Sequence, residues 1–514
     1  MSLSPRYVTT PIYYLNGPPH LGHAYTTIAA DFMARFWRLE GRKCYFLTGS
    51  DEYGQKIAAA AAAAQNVSPQ VYVDQMVLPF QEMVRRLGAT ANDFLRTTEA
   101  RHQSGAQAFW LQLQEAGFIY RGTYSGWYAV TDEAYYSEED IKDGKAPTGA
   151  PVTWMEEVCY FFKLSAFQEP LLRFYEENPN FIAPSSRYNE VKRWVERGLQ
   201  DLAISRSHFA WGIPVPGDQE HVMYVWVEAL SNYITALGYP DEKTDLFKTF
   251  WPEALHLVGK DILRFHGVYW PAFLMALGLP LPRKIFAHGW WTNKEQKMSK
   301  SVGNVVDPFR LVEEYGLDPL RYFLLREISF GGDGDFSEKA LVGRLNADLA
   351  NDLGNLVQRV LGFIHKHLQG KMPESFPETA LPQGTHLRIW GEELYPKLQN
   401  CIEAQALSKY LEIVWEGIAL GNQFVDLLKP WVLVKSERVE DHHILQEGMA
   451  TLCETLRIIG IFILPAMPQS GEGVLKQLGL LLSSPWTLSE IPSLKTHAAF
   501  PPPSPLFPRR DVSP

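Results

Sequence analysis

The sequence predicts an α/β protein, a parallel sheet interrupted by an inserted domain and followed by an all-α bundle, and three observations predict it. Residues 6 to 52 read as strand, helix, strand. From about 116 to 215 the pattern changes to short aromatic segments with Gly and Pro turns, after which sheet-like segments resume. Beyond about residue 340 almost every segment has helical periodicity. With 514 residues, 46% of them hydrophobic, the chain is long enough for two to four ordinary cores.

Taken in order, "RYVTTPIYYLN" is β-branched and aromatic and runs into Asn-Gly-Pro-Pro, which makes it a buried strand ending in a turn. After His23 the apolar residues Tyr25, Ile28, Ala29, Phe32, Met33, Phe36 and Leu39 recur at helical spacing, and Gly41 stands where a helix stops. "KCYFLTG" is a second strand that delivers Ser50, Asp51 and Glu52 at its carboxyl end, where a ligand site belongs. Between the first strand and the helix stands "GPPHLGH". A helix N-terminus offers unpaired N–H groups and partial positive charge to phosphate, His20 and His23 add donors, and Gly22 lets a flat base approach the backbone. Two histidines beside a glycine are equally compatible with no function, so this string alone leaves the choice open.

Residues 1–115 form the first half of the parallel-sheet domain and include the helix "KIAAAAAAAQNVSPQVYVDQM", whose alanines are helix filler. Residues 116–215 are an inserted domain. In 216–340 the sheet resumes, with "HVMYVWVEAL", "ALHLVGKDI" and "RKIFAHGWW" as strands and Val305 to Glu327 as a helical connection. Residues 341–480 are a separate helical bundle, and 481–514 a Pro- and Ser-rich tail expected to be unpacked.

Composition narrows the function classes. No apolar run approaches a membrane span and the N-terminus lacks the features of a signal sequence, so a cytoplasmic protein is expected. Cys44, Cys159, Cys401 and Cys453 are too scattered for a disulfide framework or a metal knuckle and read as buried thiols. A net charge of −10 argues against a general nucleic-acid binder, so any RNA contact must be local and shape-dependent.

The choice at the two histidines is made by "KEQKMSKSVGNVVDP". It places Lys297, Met298, Ser299, Lys300 and Ser301 in a loop after a strand, a five-residue string expected by chance in roughly one such chain in several thousand. His-Leu-Gly-His early and Lys-Met-Ser-Lys-Ser later resemble the two signatures of class I aminoacyl-tRNA synthetases. More narrowly, "PIYYLNGPPHLGHAYT", "LTGSDEYGQKI", "YVWVEALSNYI", "VGKDILRFHGVYWPAFL", "DLANDLGNLVQR" and "PWVLVK" resemble the methionyl-tRNA synthetase family in order and spacing, to about residue 480.

The resemblance implies a Rossmann-type catalytic domain in two halves, a connective insertion and an anticodon-binding bundle. It implies ATP with Mg2+, L-methionine, and initiator and elongator tRNA(Met) as cofactor and partners. His20 and His23 would hold the triphosphate, with Gly22, Gly259 and Asp261 beside it. Lys297 and Lys300, on a loop with Met298, Ser299 and Ser301, would close over the departing pyrophosphate, Lys300 contributing most to the transition state. For Asp261 an N-cap role is as good a reading. The methionine pocket would be Ile12, Tyr14, Trp226, Ala229, Tyr233, Ile262, His266 and Trp270, with Asp51 for the α-ammonium. A thioether suits such aromatic walls, though most of these residues read equally as core. Asn355 and Arg359, four apart and so on one helix face, with Trp431 after a helix-ending proline, would read the anticodon. Arg206 lies in a similar segment, with a structural salt bridge as an equal reading.

The chain departs from the family at the zinc knuckle. Ala129, Asp132 and Ala146 stand at expected cysteine positions, so no zinc is expected. The chain also stops soon after its bundle, without the dimerising domain of some relatives, and a monomer is expected. Synthetases for leucine, isoleucine or valine need a larger editing insertion, and a cysteine-specific enzyme needs zinc-binding cysteines. A non-catalytic RNA binder is disfavoured by intact signature residues, and a small-molecule nucleotidyltransferase would leave the bundle unexplained.

Overall fold

A computed structural model describes residues 3–64, 67–130, 134–136, 138–298, 303–375, 382–480 and 487–510. Its centre is a six-stranded sheet of β1 (Arg6–Tyr14), β2 (Cys44–Asp51), β3 (Asp93–Arg96), β4 (Ile182–Ala183), β5 (Ala254–Gly259) and β6 (Lys284–His288). The order across the sheet is β3-β2-β1-β5-β6-β4, and every pairing is parallel. The chain returns from β3 through the insertion to the far side of β1, so the order reverses between β1 and β5. A crevice at their carboxyl ends is where such sheets bind ligands. Helix α1 (Leu21–Leu39) covers one face, and 15 of its 19 residues are buried.

Two sequence expectations change here. "HVMYVWVEAL" is strand only to Met223, in a small antiparallel sheet with Ser205–Arg206 and Pro214–Val215, and turns into the helix Val225–Thr235. Its β-branched and aromatic run favours strand locally, yet the helix buries Val227, Leu230, Tyr233 and Ile234, and that packing overrides propensity. The tail is also packed over residues 487–510. Leu488 N–H donates to Leu39 O at 2.7 Å, Met372 N–H to Ala498 O at 2.8 Å and Phe500 N–H to Gly370 O at 2.7 Å, and Ile491, Phe500 and Phe507 are buried. Proline-rich sequence cannot build its own ladder, but here its few N–H groups and aromatic side chains find partners on existing domains.

The insertion holds a sheet formed by Ile119–Ala129, Ala134–Tyr136, Thr153–Phe162 and Leu202–Ala203. Ala129, Ala146 and Ala150 form an apolar cluster flanked by Tyr136 and Val152. Between Pro308 and Gln477 the described chain is mostly helical, with long helices at Asn355–His367, Leu407–Leu428 and Val439–Ile463. All four cysteines are buried thiols. No helix among the described residues is long and apolar enough to cross a membrane.

Candidate active site

The turn after β1 delivers the N-terminus of α1 to the crevice. His20 is its N-cap, with extended backbone at φ −134° and ψ 174°. His20 Nδ1 accepts the Gly22 N–H at 3.1 Å, and His23 Nδ1 accepts the His20 N–H at 3.1 Å. This is the reciprocal capping arrangement usually made by Ser or Thr with Glu or Gln, built here from two imidazoles. A ring nitrogen that accepts carries no proton, so each ring holds its hydrogen on Nε2. The rings stack at 3.8 Å, and Tyr13 and Phe80 present edges to His23 at 4.9 and 5.2 Å. Gly22 has a second duty beyond exposing backbone, because a Cβ there would stand 3.0 Å from the His20 ring.

The second signature is tethered to the first. Leu21 N–H donates to Val306 O at 3.1 Å. Before it, Trp291–Asn293 and Gln296–Lys297 form a hairpin that turns through Lys294 and Glu295, both at positive φ. Asp335 pins the turn by accepting from Thr292 Oγ1 at 2.6 Å and Glu295 N–H at 2.8 Å. Met298 is buried in the core and anchors the loop through packing. Ser299, Lys300 and Ser301, and the Lys297 side chain, lie outside the described residues.

At the end of β5, Gly259 is the N-cap of a short turn, Lys260–Ile262, so the N-cap reading of Asp261 fails. The Asp261 carboxylate instead accepts from Trp290 Nε1 at 3.1 Å, and a Cβ on Gly259 would meet it at 2.6 Å. Lys260, unnoticed in the sequence, lies 4.1 Å over the Trp290 ring and pairs with Asp333 at 2.5 Å.

The residues expected around the methionine side chain come from four elements. Ile12 and Tyr14 come from β1 and Asp51 from the end of β2, all half-buried. Trp226, Ala229 and Tyr233 come from Val225–Thr235, and Ile262, His266 and Trp270 from the segment after β5. Ala229, Tyr233, His266 and Trp270 are buried. Their polar atoms satisfy one another. His266 Nδ1–H donates to Ile262 O at 3.0 Å, so its Nε2 accepts the Tyr233 hydroxyl at 2.7 Å. Trp270 Nε1–H donates to His256 Nε2 at 3.3 Å, His256 Nδ1 meets Thr9 Oγ1 at 2.9 Å, and His256 stacks on Tyr233 at 4.0 Å. Burial pushes His266 down to about 4 and His256 well below the usual imidazole range, so both rings are neutral. Trp226 stacks on Phe265 at 3.8 Å and stands edge-on to His266.

Sequence reading missed the layer behind this pocket. Glu228, on the same helix as Trp226 and Tyr233, is buried with Oε2 3.1 Å from His102 Nε2. Burial, then Asp51 and Glu52, push its carboxyl well above the usual range, and burial pushes His102 down to about 3. The pair is therefore neutral. Its one sequence signal is a glutamate inside the apolar run "VWVEAL". Arg206 is buried and stacks 4.4 Å over Tyr224, while donating to Ser205 O at 2.7 Å and Ala203 O at 3.1 Å.

In the bundle, Asn355 is exposed, and Arg359, one turn on, pairs with Asp426 of Leu407–Leu428. Trp431 is 46% exposed and so is not core. The helix before it ends at left-handed Lys429, and Pro430 opens a new short helix, Pro430–Leu433, rather than ending the old one.

These features agree with what the chain is similar to. The family model described as tRNA synthetases class I (M) matches residues 6–152 and 145–361. The methionine–tRNA ligase of Rickettsia conorii is 48% identical over 482 residues, covering 92% of each chain. That of Brucella suis is 47% identical over 523 residues, covering 99% of this chain and 98% of the other. The crystal structure of Mycobacterium tuberculosis methionyl-tRNA synthetase bound by methionyl-adenylate superposes with a TM-score of 0.94 at 45% identity, covering 98% of this chain and all of that one. The chain belongs to the methionyl branch of the class I aminoacyl-tRNA synthetases.

Proposed function

We propose that the chain is an ATP-dependent methionine–tRNA ligase, which activates L-methionine to methionyl-adenylate and transfers the methionyl group to the 3′ end of tRNA(Met). The observation that carries the reading is the juxtaposition at the β1–β5 crevice. Two Nε2–H donors on a helix N-terminus follow β1, the strand beside β5, whose carboxyl end leads into an aromatic cluster in which the polar atoms of Tyr233, His266 and Trp270 are already paired. Such a cluster favours an uncharged, polarizable side chain and gives a charged one no partner.

Activation needs little chemistry from the protein. A methionine carboxylate oxygen attacks the α-phosphorus, the bond to the β-phosphate oxygen breaks, and pyrophosphate leaves with the electron pair. The carboxylate is ionised at neutral pH, so alignment and charge stabilisation are the task. We assign His20 and His23 to the triphosphate, with Gly22, Gly259 and Asp261 beside the nucleotide. Lys297 and Lys300, within Lys297–Ser301, would meet the leaving pyrophosphate. Asp51 would take the α-ammonium, and Ile12, Tyr14, Trp226, Ala229, Tyr233, Ile262, His266 and Trp270 the side chain. The 3′-terminal ribose hydroxyl then attacks the acyl carbon, and AMP leaves. Mg2+ would accompany the triphosphate and neutralise part of its charge.

For the remainder, we infer catalytic halves at 1–115 and 216–340, a connective domain at 116–215, an anticodon-binding domain at 341–480 and a tail at 481–514. Zinc is not part of this reading, and the apolar cluster around Ala129 and Ala146 supports that. Asn355, Arg359 and Trp431 would read the anticodon of initiator and elongator tRNA(Met) for a cytoplasmic monomer. The test is ATP–pyrophosphate exchange with each of the twenty amino acids. Methionine alone should support it, and exchange with leucine, isoleucine or valine, or with none, overturns the reading.

A further inference from the structure

The helix Ser185–Glu196 packs against Phe265–Tyr269, the turn that carries His266. Between them lies a groove of about 530 Å3, lined by Glu190, Arg193, Trp194 and Arg197 on one side and by Leu263 and Arg264 on the other, with the Glu190 carboxylate already held by Arg187. The Arg264 guanidinium lies 4.9 Å over the Trp194 ring. Arg193, Arg197 and Arg264 are exposed, and among the described residues none of the three has a carboxylate partner. Their neighbours do: Arg187 pairs with Glu190 at 2.6 Å and Lys192 with Glu176 at 3.0 Å.

Arg193 and Arg197 are four apart and share a face, where like charges repel by about 0.2 to 0.5 kcal/mol. The helix C-terminus offsets part of that cost. It does not explain Arg264, which brings a third cation to the same groove from a separate element. Three unpaired guanidinium groups converging in a chain of net charge −10 form a local anion site.

Position decides which anion. Leu263 and Arg264 directly follow Ile262, which we place at the methionine side chain, so an anion bound here contacts the same helical segment that lines the aminoacyl site on its other side. The substrate that must approach that site from outside while carrying a row of phosphates is the tRNA. We propose that Arg193, Arg197 and Arg264 hold phosphodiester oxygens of the tRNA strand leading to the 3′ end. The proposal rests on the function given above, and it supplies the local positive surface that an acidic chain needs to hold RNA.

The test is tRNA(Met) binding to the full-length wild type, to R193A/R197A and to R193K/R197K, over roughly 50 to 200 mM salt. Adenylate formation, to which neither arginine belongs, is followed in parallel by pyrophosphate exchange. The alanine pair should weaken tRNA binding about tenfold at low salt and reduce the slope of log affinity against log salt by about 1.4, for two lost single-strand phosphate contacts. The lysine pair should restore the slope, with exchange equal in all three proteins. Unchanged affinity and slope overturn the proposal. So does an equal loss of exchange, which would make the arginines structural. Binding of inorganic phosphate to the wild type that is lost in the alanine pair while tRNA affinity and slope stay unchanged would assign the groove to a free anion and overturn the proposal. A wild type without methionine-dependent exchange would remove the functional reading, while the binding titration would still decide the groove.

Discussion

His20 carries two duties on two different nitrogens, so they can be separated. Nδ1 caps α1 by accepting the Gly22 N–H, and Nε2 carries the hydrogen assigned to phosphate. In His20→Asn, the shorter amide oxygen replaces Nδ1 as the cap acceptor and nothing reaches the place of Nε2. In His20→Ala both are lost. Removing a cap costs about 1 kcal/mol. Because 15 of 19 residues of α1 are buried, packing holds the helix and that loss lowers the melting temperature by only about 1 to 2 °C in a chain of this size. Losing a phosphate donor should cost about 100-fold or more in activation rate. His20→Asn should therefore melt with the wild type yet lose methionine-dependent pyrophosphate exchange, and His20→Ala should lose both. An asparagine variant with near wild-type exchange would show that His20 only caps the helix. One as destabilised as alanine would refute the assignment of the cap to Nδ1.

Four further outcomes are expected. Lys300→Ala should slow adenylate formation about 100-fold or more while methionine binding is kept, and an unchanged rate with weaker binding would refute its role. Elemental analysis should find no stoichiometric zinc, and activity should survive a strong chelator once Mg2+ is restored; one zinc per chain would refute the reading of Ala129 and Ala146. His266 is neutral when folded, with its proton affinity lowered from 6.5 to about 4, so below pH 6.5 the unfolded chain binds more protons and stability falls as pH drops from 6.5 to 4. That loss is about 3 kcal/mol from His266, and a His266→Gln variant should lack this share of it, as denaturant unfolding at pH 7 and pH 4 would measure. Trp431→Ala should reduce aminoacylation of a CAU-anticodon tRNA by roughly 10- to 100-fold with pyrophosphate exchange unchanged, since stacking is worth about 1 to 3 kcal/mol per base, and equal loss in both assays would make Trp431 structural.

Local signals in the sequence carried the parallel sheet through β1, β2, β5 and β6, each an apolar run bounded by turn residues. β4 is two residues long, within "NFIAPS", and exists because Ile182 and Ala183 pair with Ile285 and Phe286, a contact no local pattern announces. The helix at Val225 failed for the opposite reason: its residues favour strand, and its partners across the core decide otherwise. At the site, short motifs singled out His20, His23 and the lysine loop, whereas the pairings that set the protonation of the buried groups behind them came from packing. His102 and Glu228 are 126 positions apart, and Tyr233 and His266 are 33 apart. Neither distance has a periodicity to read.

One buried group shows why α1 and the bundle form a single scaffold. Arg321 is wholly buried and bonds to Asp31 of α1 at 2.7 Å, to Leu87 O at 2.9 Å, and to Pro465 O and Ala466 O of the bundle at 2.9 and 2.7 Å. Burial alone would raise Asp31, but Arg321, Arg35 and Thr90 outweigh it and hold its carboxyl below the usual range, so the ion pair persists. A buried pair adds little net stability over an apolar core, yet removing one partner leaves an uncompensated charge at a cost of about 3 to 5 kcal/mol. Its effect is geometric. Thr90, Leu87, α1 and the turn at Pro465 must each present a donor or acceptor to the same two side chains, which permits one relative placement of these elements. Tyr395 and Gln399 of the bundle both donate to Glu40 at the end of α1, at 2.9 and 2.7 Å, and fix the other end of the same helix. The helix that presents His20 is thus held along its length by the domain that presents Asn355, Arg359 and Trp431. On the assignments proposed above, a fixed spacing between those two surfaces lets an RNA held at its anticodon bring its 3′ end to one place.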